Sequence, residues 1–458
     1  MRTFRVVWAG QLVSALGSGL TAFAMPIWVF LETRSVTTFA LIALVATLPT
    51  LLLAPAAGAY VDRWDRRSTM MLADLAAGLV TATIAVVYLT SGLQIWHLFV
   101  ASALMGAASA FQVPAYLAAV PLLVPKEHLS KANGQVQLSQ AMGNLVSPAL
   151  AGVLLATVGL GGIMLVDVVT FLLAIGSLLF VRFPPVPRDA SAGEPESFWA
   201  EAMAGWHYLR SKSGMLALLF IFAGVNFALT LAMVLFSPMM LAFTTEQVVG
   251  FTLSVAGIGM VAGSLLMSTW KGAESKIAGV LWPIMLGGLA LIVAGLRPNA
   301  LLVTVGLFLL LLLVPIASAS SAVLWQTKIP AELHGRAFSV RRVLAQSATP
   351  VSYVLAGPLI DNWFDPWLAE DGVLADTVGR LVGVGPGRGI GFLFVIAGLV
   401  VALIGVFGYL YAPVRNLEHN HPDVALPPNE DVPVAADAVE VPAVHASHGV
   451  PEDAPPTR

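Results

Sequence analysis

Twelve long apolar stretches, separated by short charged or glycine- and proline-bearing segments, run along the chain from residue 6 to residue 411. A helix needs about 20 apolar residues to cross the hydrocarbon core of a bilayer, and each stretch is of that order. The pattern predicts spans over 6–31, 37–61, 69–91, 96–120, 131–157, 160–182, 214–241, 247–270, 277–296, 300–326, 336–360 and 389–411. Arg2 and Arg5 precede the first, but its apolar run is too long for a cleavable leader, so it is read as a retained span. The one long central break, 183–213, opens with Pro184, Pro185 and Pro187. Trp199, Met203 and Trp206 then fall on a single helical stripe, which predicts a surface helix joining two groups of six spans.

Composition agrees with an all-α, polytopic membrane protein. Of 458 residues, 58% are hydrophobic and 11% charged, whereas a soluble domain carries roughly 25% charged residues. That leaves too little polar surface for a water-facing protein of this length. The absence of cysteine excludes disulfides, thiolate metal sites and cysteine nucleophiles. From residue 413 onward two arginines face eight acidic residues, a net of −6 within a whole-chain charge of −3, so the body is +3. This segment, rich in Pro, Ala and Val and without helical period, is expected to be a disordered acidic extension. Placing the N-terminus in the cytoplasm puts all but Arg34, Arg297, Arg380 and Arg388 of the 23 lysines and arginines on the inner side. Both termini are therefore expected in the cytoplasm.

Sliding the chain against itself by 205 positions aligns Thr47-Leu48 with Thr252-Leu253, and Ala57-Gly58 with Ala262-Gly263. The same offset aligns Pro125, Glu127 and Lys131 with Pro330, Glu332 and Arg336, and Ala151-Gly152 with Ala356-Gly357. An even number of spans lies between equivalent positions, so the repeats run parallel about an axis along the membrane normal. The organisation expected is an N-terminal half (1–182), a linker (183–213), a C-terminal half (214–412) and the extension (413–458).

Polar residues within spans are unevenly placed. Gln11, Ser14 and Ser18 share one face of the first span, Ser102, Ser109 and Gln112 one face of the fourth, and Gln137, Gln140, Asn144 and Ser147 one face of the fifth. Later spans carry Asn226 and Thr230, then Ser318, Ser321 and Trp325, then Gln346, Thr349 and Tyr353. Serines and threonines often join membrane helices. The three amides Gln137, Gln140 and Asn144 exceed what helix packing requires and point to a neutral cavity for an amphipathic or aromatic molecule. Asp74 and Asp167 are the two acids within spans; either is a candidate proton carrier, or is satisfied near a span end. No cluster has the spacing of a catalytic triad or metal site, so neither an enzyme nor a cofactor or metal is expected.

The loop after the second span reads Gly58-Ala-Tyr-Val-Asp62-Arg63-Trp64-Asp65-Arg66-Arg67. It is at least a positive-inside anchor, and it resembles the signature loop of the major facilitator superfamily, Gly-x-x-x-Asp-Arg-x-Gly-Arg-Arg, with Asp65 in place of a glycine. The resemblance implies that Gly58, Asp62, Arg63, Arg66 and Arg67 form a conformational gate. Gly143-Asn-Leu-Val-Ser147-Pro148-Ala-Leu-Ala151-Gly152 is similar to an element of exporters in that superfamily, Ser147 and Ala151 replacing glycines. Pro148 in mid-span is expected to bend its helix, and the second half lacks this proline at the equivalent position, Tyr353. The Gly17-Ser-Gly19-Leu-Thr21 run, Asp167-x-x-Thr170-Phe171 and Ala356-Gly357-Pro358-Leu359 extend the resemblance to the macrolide- and siderophore-efflux branch. The arginine that drug exporters often carry before a glycine of the fourth span is missing before Gly106. The resemblance implies a twelve-helix secondary transporter in the cell membrane, exporting a small organic molecule against proton entry, with lipid and cargo as partners, no nucleic acid, and a monomeric state. Import of a nutrient and a non-transporting sensor remain as alternative readings of the residues.

Overall fold

The computed structural model describes residues 2–90, 92–181, 183, 207, 209–210, 212–270, 273–329 and 334–420, with the side chains of Asp62, Arg63, Arg342 and Gln346 among those outside it. The expected linker stripe of Trp199, Met203 and Trp206, and most of the acidic extension, lie outside the described residues.

The apolar stretches form α1 (Arg2–Thr33), α2 (Val36–Arg63), α3 (Arg66–Thr90) and α4 (Ile95–Leu123). One continuous segment, Leu129–Leu179, follows. It divides at Gly159, whose φ of 68° and ψ of −177° break the helical path, into α5 (129–158) and α6 (160–179). A residue with a Cβ rarely adopts that φ, so the turn depends on glycine. The second half comprises α7 (Ser213–Leu241), α8 (Glu246–Thr269), α9 (Lys276–Leu296), α10 (Ala300–Lys328), α11 (His334–Leu359) and α12 (Arg388–Leu410). Among the described residues, ten helical segments are long and apolar enough to cross a membrane, the one through Gly159 counted once. Dividing it there and adding the more polar α11, which is of spanning length, gives the expected twelve. Leu79, Phe251, Leu301 and Phe407 stand exposed, where lipid replaces water.

Helix starts are set by local capping. The Ser35 hydroxyl accepts from the Thr38 N–H (3.1 Å) to start α2, and the Asn299 carboxamide accepts from Leu301 (2.9 Å) and Leu302 (3.2 Å) to start α10. Both satisfy amides that a helix N-terminus leaves unpaired.

Packing follows the repeat. α2 packs on α4 and α3 on α4, as α8 packs on α10 and α9 on α10. α1 lies along α5–α6, as α7 lies along α11 and α12. The halves join chiefly through α5 against α8 and, in the equivalent place, α11 against α2. The face where α1 begins is termed the near face and the opposite one the far face; alternation of twelve helices returns the chain to the near face after α12.

Tyr353 stands where Pro148 has its equivalent, and Pro350, three residues earlier, lies inside α11. One expectation is corrected here. The extension does not start at 413. Short helical turns occupy Ala412–Arg415 and Leu417–Asn420, with Val414 and Leu417 fully buried. The Glu418 carboxylate accepts from the Lys276 and Ile277 amides at the start of α9. That is a capping interaction, which the loss of apolar period after 412 conceals.

Candidate functional site

In the first half, polar residues on α1 join neighbouring helices. The Gln11 amide donates to Asp74 on α3 (2.9 Å), and Gln112 on α4 donates to the Gln11 carbonyl. Higher in the bundle, Asp167 on α6 is completely buried. It accepts from Thr21 (2.8 Å) and Ser18 (3.4 Å) on α1 and from Thr81 (3.4 Å) on α3. A carboxylate at this depth requires such donors, since unsatisfied charge is costly away from water. The glycine-rich run of α1 and the Asp167-x-x-Thr170 pair are thus two sides of one contact: a Cβ on Gly17 would collide with Thr170.

In the second half, Arg341 reaches from α11 toward α10 and α7. Its guanidinium donates to the Ser321 hydroxyl (3.2 Å) and lies 5.2 Å from the Trp325 ring centroid and 5.6 Å from that of Phe222. It lines a cavity of about 130 Å³ together with Leu219, Phe222, Ala223, Asn226 and Ser318. Phe222, Asn226 and Ser318 also border a smaller apolar recess of about 50 Å³ that includes Leu229, Pro283 and Leu310. Among the described residues, no group of three or more His, Asp or Glu side chains converges to hold a metal ion.

The halves meet between mid-depth and the far face. A Cβ on Gly152 of α5 would collide with the backbone of Glu246 at the start of α8, and a Cβ on Gly250 with the Pro148 carbonyl. Deeper in, the Ser254 hydroxyl donates to the Leu145 carbonyl and Gly257 lies against the Leu145 side chain. At the other crossing, Gly357 of α11 fits against Thr37 at the start of α2. Just beyond it, Asp361 accepts from Ser35 Oγ (3.1 Å), Thr37 Oγ1 (2.7 Å) and the backbone N–H groups of Val36 (3.2 Å) and Thr37 (2.9 Å). A carboxylate from one half thereby caps a helix N-terminus of the other, where the helix dipole favours negative charge. On the near face, by contrast, no atom of the described residues comes within 4 Å of where a Cβ on Gly58, at the end of α2, would sit.

The chain matches the model of the Major Facilitator Superfamily over residues 7–352. It belongs to that superfamily. Macrolide efflux protein A of Streptococcus pyogenes is 28% identical over 370 residues, covering 79% of this chain and 91% of the relative. Multidrug efflux pump Tap of Mycolicibacterium fortuitum is 26% identical over 358 residues, covering 76% and 87%. A bacterial homologue of the lysosomal transporter spinster, solved in an inward-facing and unoccupied conformation, superposes with a TM-score of 0.67 at 14% identity, covering 93% of this chain and 98% of that one. A bacterial homologue of the iron transporter ferroportin in an inward-facing state superposes with a TM-score of 0.62 at 17% identity, covering 89% and 98%. The two structures share the fold; the chain is a multi-pass membrane transporter and not an enzyme.

Within the superfamily's signature loop, Asp65 departs from glycine with a structural result. Its carboxylate accepts from the Ser68 N–H (2.8 Å) and hydroxyl (2.7 Å), so it caps α3. Arg67 donates to the Leu178 (2.8 Å) and Leu179 (3.1 Å) carbonyls at the end of α6, a contact within one half. Gly58 and the half-buried Arg66 complete the described part of the loop, and Asp62 and Arg63 occupy the last turn of α2.

The residues expected to line one cavity fall into three groups. Gln11, Ser14, Ser18 and Gln112 turn into the first half, where Gln11, Ser18 and Gln112 make the contacts above and Ser14 is buried. Ser147 and Gly143 of the exporter-like element face α1, Ser147 donating to the Leu16 carbonyl (3.2 Å). Asn226 and the fully buried Trp325 belong to the Arg341 recess, and Tyr353 lies within hydrogen-bonding reach of Thr47 on α2. Gln137, Gln140 and Asn144 are exposed and make no hydrogen bond among the described residues. Gln346 lies outside the described side chains. Arg341 and Asp361 were absent from the expected site. Arg341 had been grouped with the inner-loop cations, and Asp361 belonged to the outer loop; only the helix boundary at His334 and the capping contact reveal them.

Proposed function

We propose that the chain exports small amphipathic organic molecules from the cytoplasm by alternating access, as a monomer in the cell membrane with both termini in the cytoplasm. The observation that carries this reading is the asymmetry of the interface between the halves. It is closely packed from mid-depth to the far face, whereas on the near face no contact meets Gly58 among the described residues. With the near face cytoplasmic, as the distribution of lysine and arginine requires, this is an inward-open state ready to load cargo. Exposed Gln137, Gln140 and Asn144 offer amides to that opening, since three such groups would be costly against lipid. The recess at Arg341 and Asn226 offers Phe222 as an aromatic wall. Efflux proteins for macrolides and other drugs among the relatives favour outward movement.

Proton entry is the proposed energy source. Asp74 is the better carrier of the two acids, because it has one amide donor whereas Asp167 is held by three hydroxyls from two other helices. The test is a susceptibility and efflux panel in a pump-deficient host, with and without a protonophore. Expression is expected to lower accumulation of at least one amphipathic drug, and the protonophore to abolish the effect. Unchanged accumulation across the panel overturns export; efflux indifferent to the protonophore overturns proton coupling alone.

A further inference from the structure

The Arg341 recess carries a charge preference that neither the relatives nor the fold assigns. Arg341 lies seven residues into α11, about 10 Å along the helix from His334. It is only half buried and lines the cavity shared with Asn226 and Ser318. Lysines and arginines at membrane depth are normally paired with a carboxylate, and an unpaired one is costly. Among the described residues no carboxylate pairs with Arg341. The two acids within spans, Asp74 and Asp167, belong to the other half and are engaged by Gln11 and by Thr21, Ser18 and Thr81.

What surrounds the guanidinium is a hydroxyl and two rings. Ser321 takes one N–H. Trp325 and Phe222 hold the plane by cation–π contact. A guanidinium has five N–H donors in a planar fork suited to a bidentate acceptor. Donors therefore remain for a group arriving in the cavity. Asn226 and Ser318 stand beside it on the same wall, and the apolar recess past Leu229 and Leu310 continues from the three residues the two cavities share. The arrangement is a positive pole with hydrogen-bonding neighbours at one end and an apolar pocket at the other.

We propose that Arg341 selects cargo by charge: the preferred molecule carries an anionic group, such as a carboxylate, sulfonate or phenolate, on an aromatic or apolar body. The anion pairs with the guanidinium and the body enters the recess. An organic cation of the same shape is repelled from this position. This inference rests on the export reading and narrows its substrate class.

Three probes on one ring system separate charge from shape: 1-naphthalenesulfonate, 1-naphthalenemethanol and trimethyl-(1-naphthyl)ammonium. Binding is measured by calorimetry on the purified full chain, and transport in inside-out vesicles. The wild type is expected to bind the sulfonate at least about tenfold more tightly than the ammonium, as a desolvated charge contact implies. Arg341→Gln removes that preference, and a thermal midpoint near wild type in detergent shows that the variant is folded. Arg341→Lys keeps the sign of the preference at lower affinity, and Arg341→Glu reverses it. Equal affinities in the wild type, or a ratio unchanged in Arg341→Gln, overturn the proposal. If the vesicles move any probe or drug without charge preference, export stands and this inference alone fails. If no probe binds, the recess is not a cargo site and the proposal is overturned as well.

Discussion

The crossing of α5 over α8 and the crossing of α11 over α2 occupy equivalent places in the repeat and are built from different chemistry. At α5–α8 the contact is backbone on backbone at Gly152 and Gly250 toward the far face, and continues near mid-depth with the Ser254 hydroxyl on the Leu145 carbonyl and Gly257 against the Leu145 side chain. The 205-residue offset places Val45, Pro49 and Leu52 of α2 where α8 has Gly250, Ser254 and Gly257, so that small-residue seam is not repeated. The other crossing keeps only the far-face glycine, Gly357, and adds Asp361 where α5 has Ala156. A seam of close-packed backbone contains nothing that water or a proton can undo. A carboxylate on a helix N-terminus is held by polar contacts that water can replace. Duplication preserved the geometry of the crossing, while divergence left one side suited to act as a fulcrum and the other as a releasable clasp.

The sharpest way to break this comparison is to fill the seam. Gly250→Leu drives a side chain into the Pro148 carbonyl, a backbone atom that cannot rotate away. Overpacking of this kind costs about 1–3 kcal/mol or more, and the larger end is expected here, with loss of transport and a lowered thermal midpoint in detergent. Gly58→Leu is the control for size alone, since open space surrounds that position; its midpoint is expected to stay near wild type. Equal midpoints for the two variants would remove the seam as a structural element.

Next in size is removal of the clasp. Asp361→Ala deletes the acceptor for two backbone amides and two hydroxyls at the start of α2. An N-terminal capping interaction contributes about 0.5–2 kcal/mol, and a shift of 1.4 kcal/mol changes a conformational ratio about tenfold. Because the chain has no cysteine, spin labels can be placed cleanly at Glu32→Cys and Glu370→Cys, both exposed. The variant is expected to populate longer distances across the far face. A distribution indistinguishable from wild type would mean that the seam alone keeps the far face closed.

How much of this was readable beforehand differs by feature. Hydropathy located the ten apolar segments found among the described residues, since a bilayer imposes length and apolarity on its spans, and the more polar α11 completes a count consistent with twelve. The repeat offset correctly paired Gly152 with Gly357, whose roles at the two crossings prove alike. The polar face of α1 was visible as a stripe, but periodicity says which residues share a face and not what that face meets. Gln11 and Ser18 therefore looked like cavity lining, and the structure turns them toward Asp74 and Asp167. Arg341 was hidden by its neighbours Arg336 and Arg342, which made the start of α11 read as an anchor. Asp361 meets α2 across more than 300 residues of chain, and no local pattern encodes such a contact.

The smallest expected effect concerns pH at the clasp. Asp365 lies one turn beyond Asp361 and accepts from the Gly389 N–H (3.0 Å) at the start of α12. Burial pushes its carboxyl up to about 6, and the charge of Asp361 adds to this against the lowering effects of the Gly389 and Gly387 amides and Arg388. The folded value thus exceeds the ordinary one of 3.8, so the folded chain holds this proton more tightly than the unfolded chain. The resulting stability is complete below about pH 3.8 and is lost as pH rises through about 6. Above that range two neighbouring carboxylates are charged, one of them buried. Between pH 4 and pH 7 the wild-type midpoint is expected to fall by a few degrees more than that of Asp365→Asn, about 2–4 °C for each kcal/mol in a domain of this size. Asp361→Ala should retain a smaller fall, because burial, the main cause, remains while the neighbouring charge is gone. Parallel pH profiles in the wild type and Asp365→Asn would assign the titration to another group and leave the clasp without a pH response of its own.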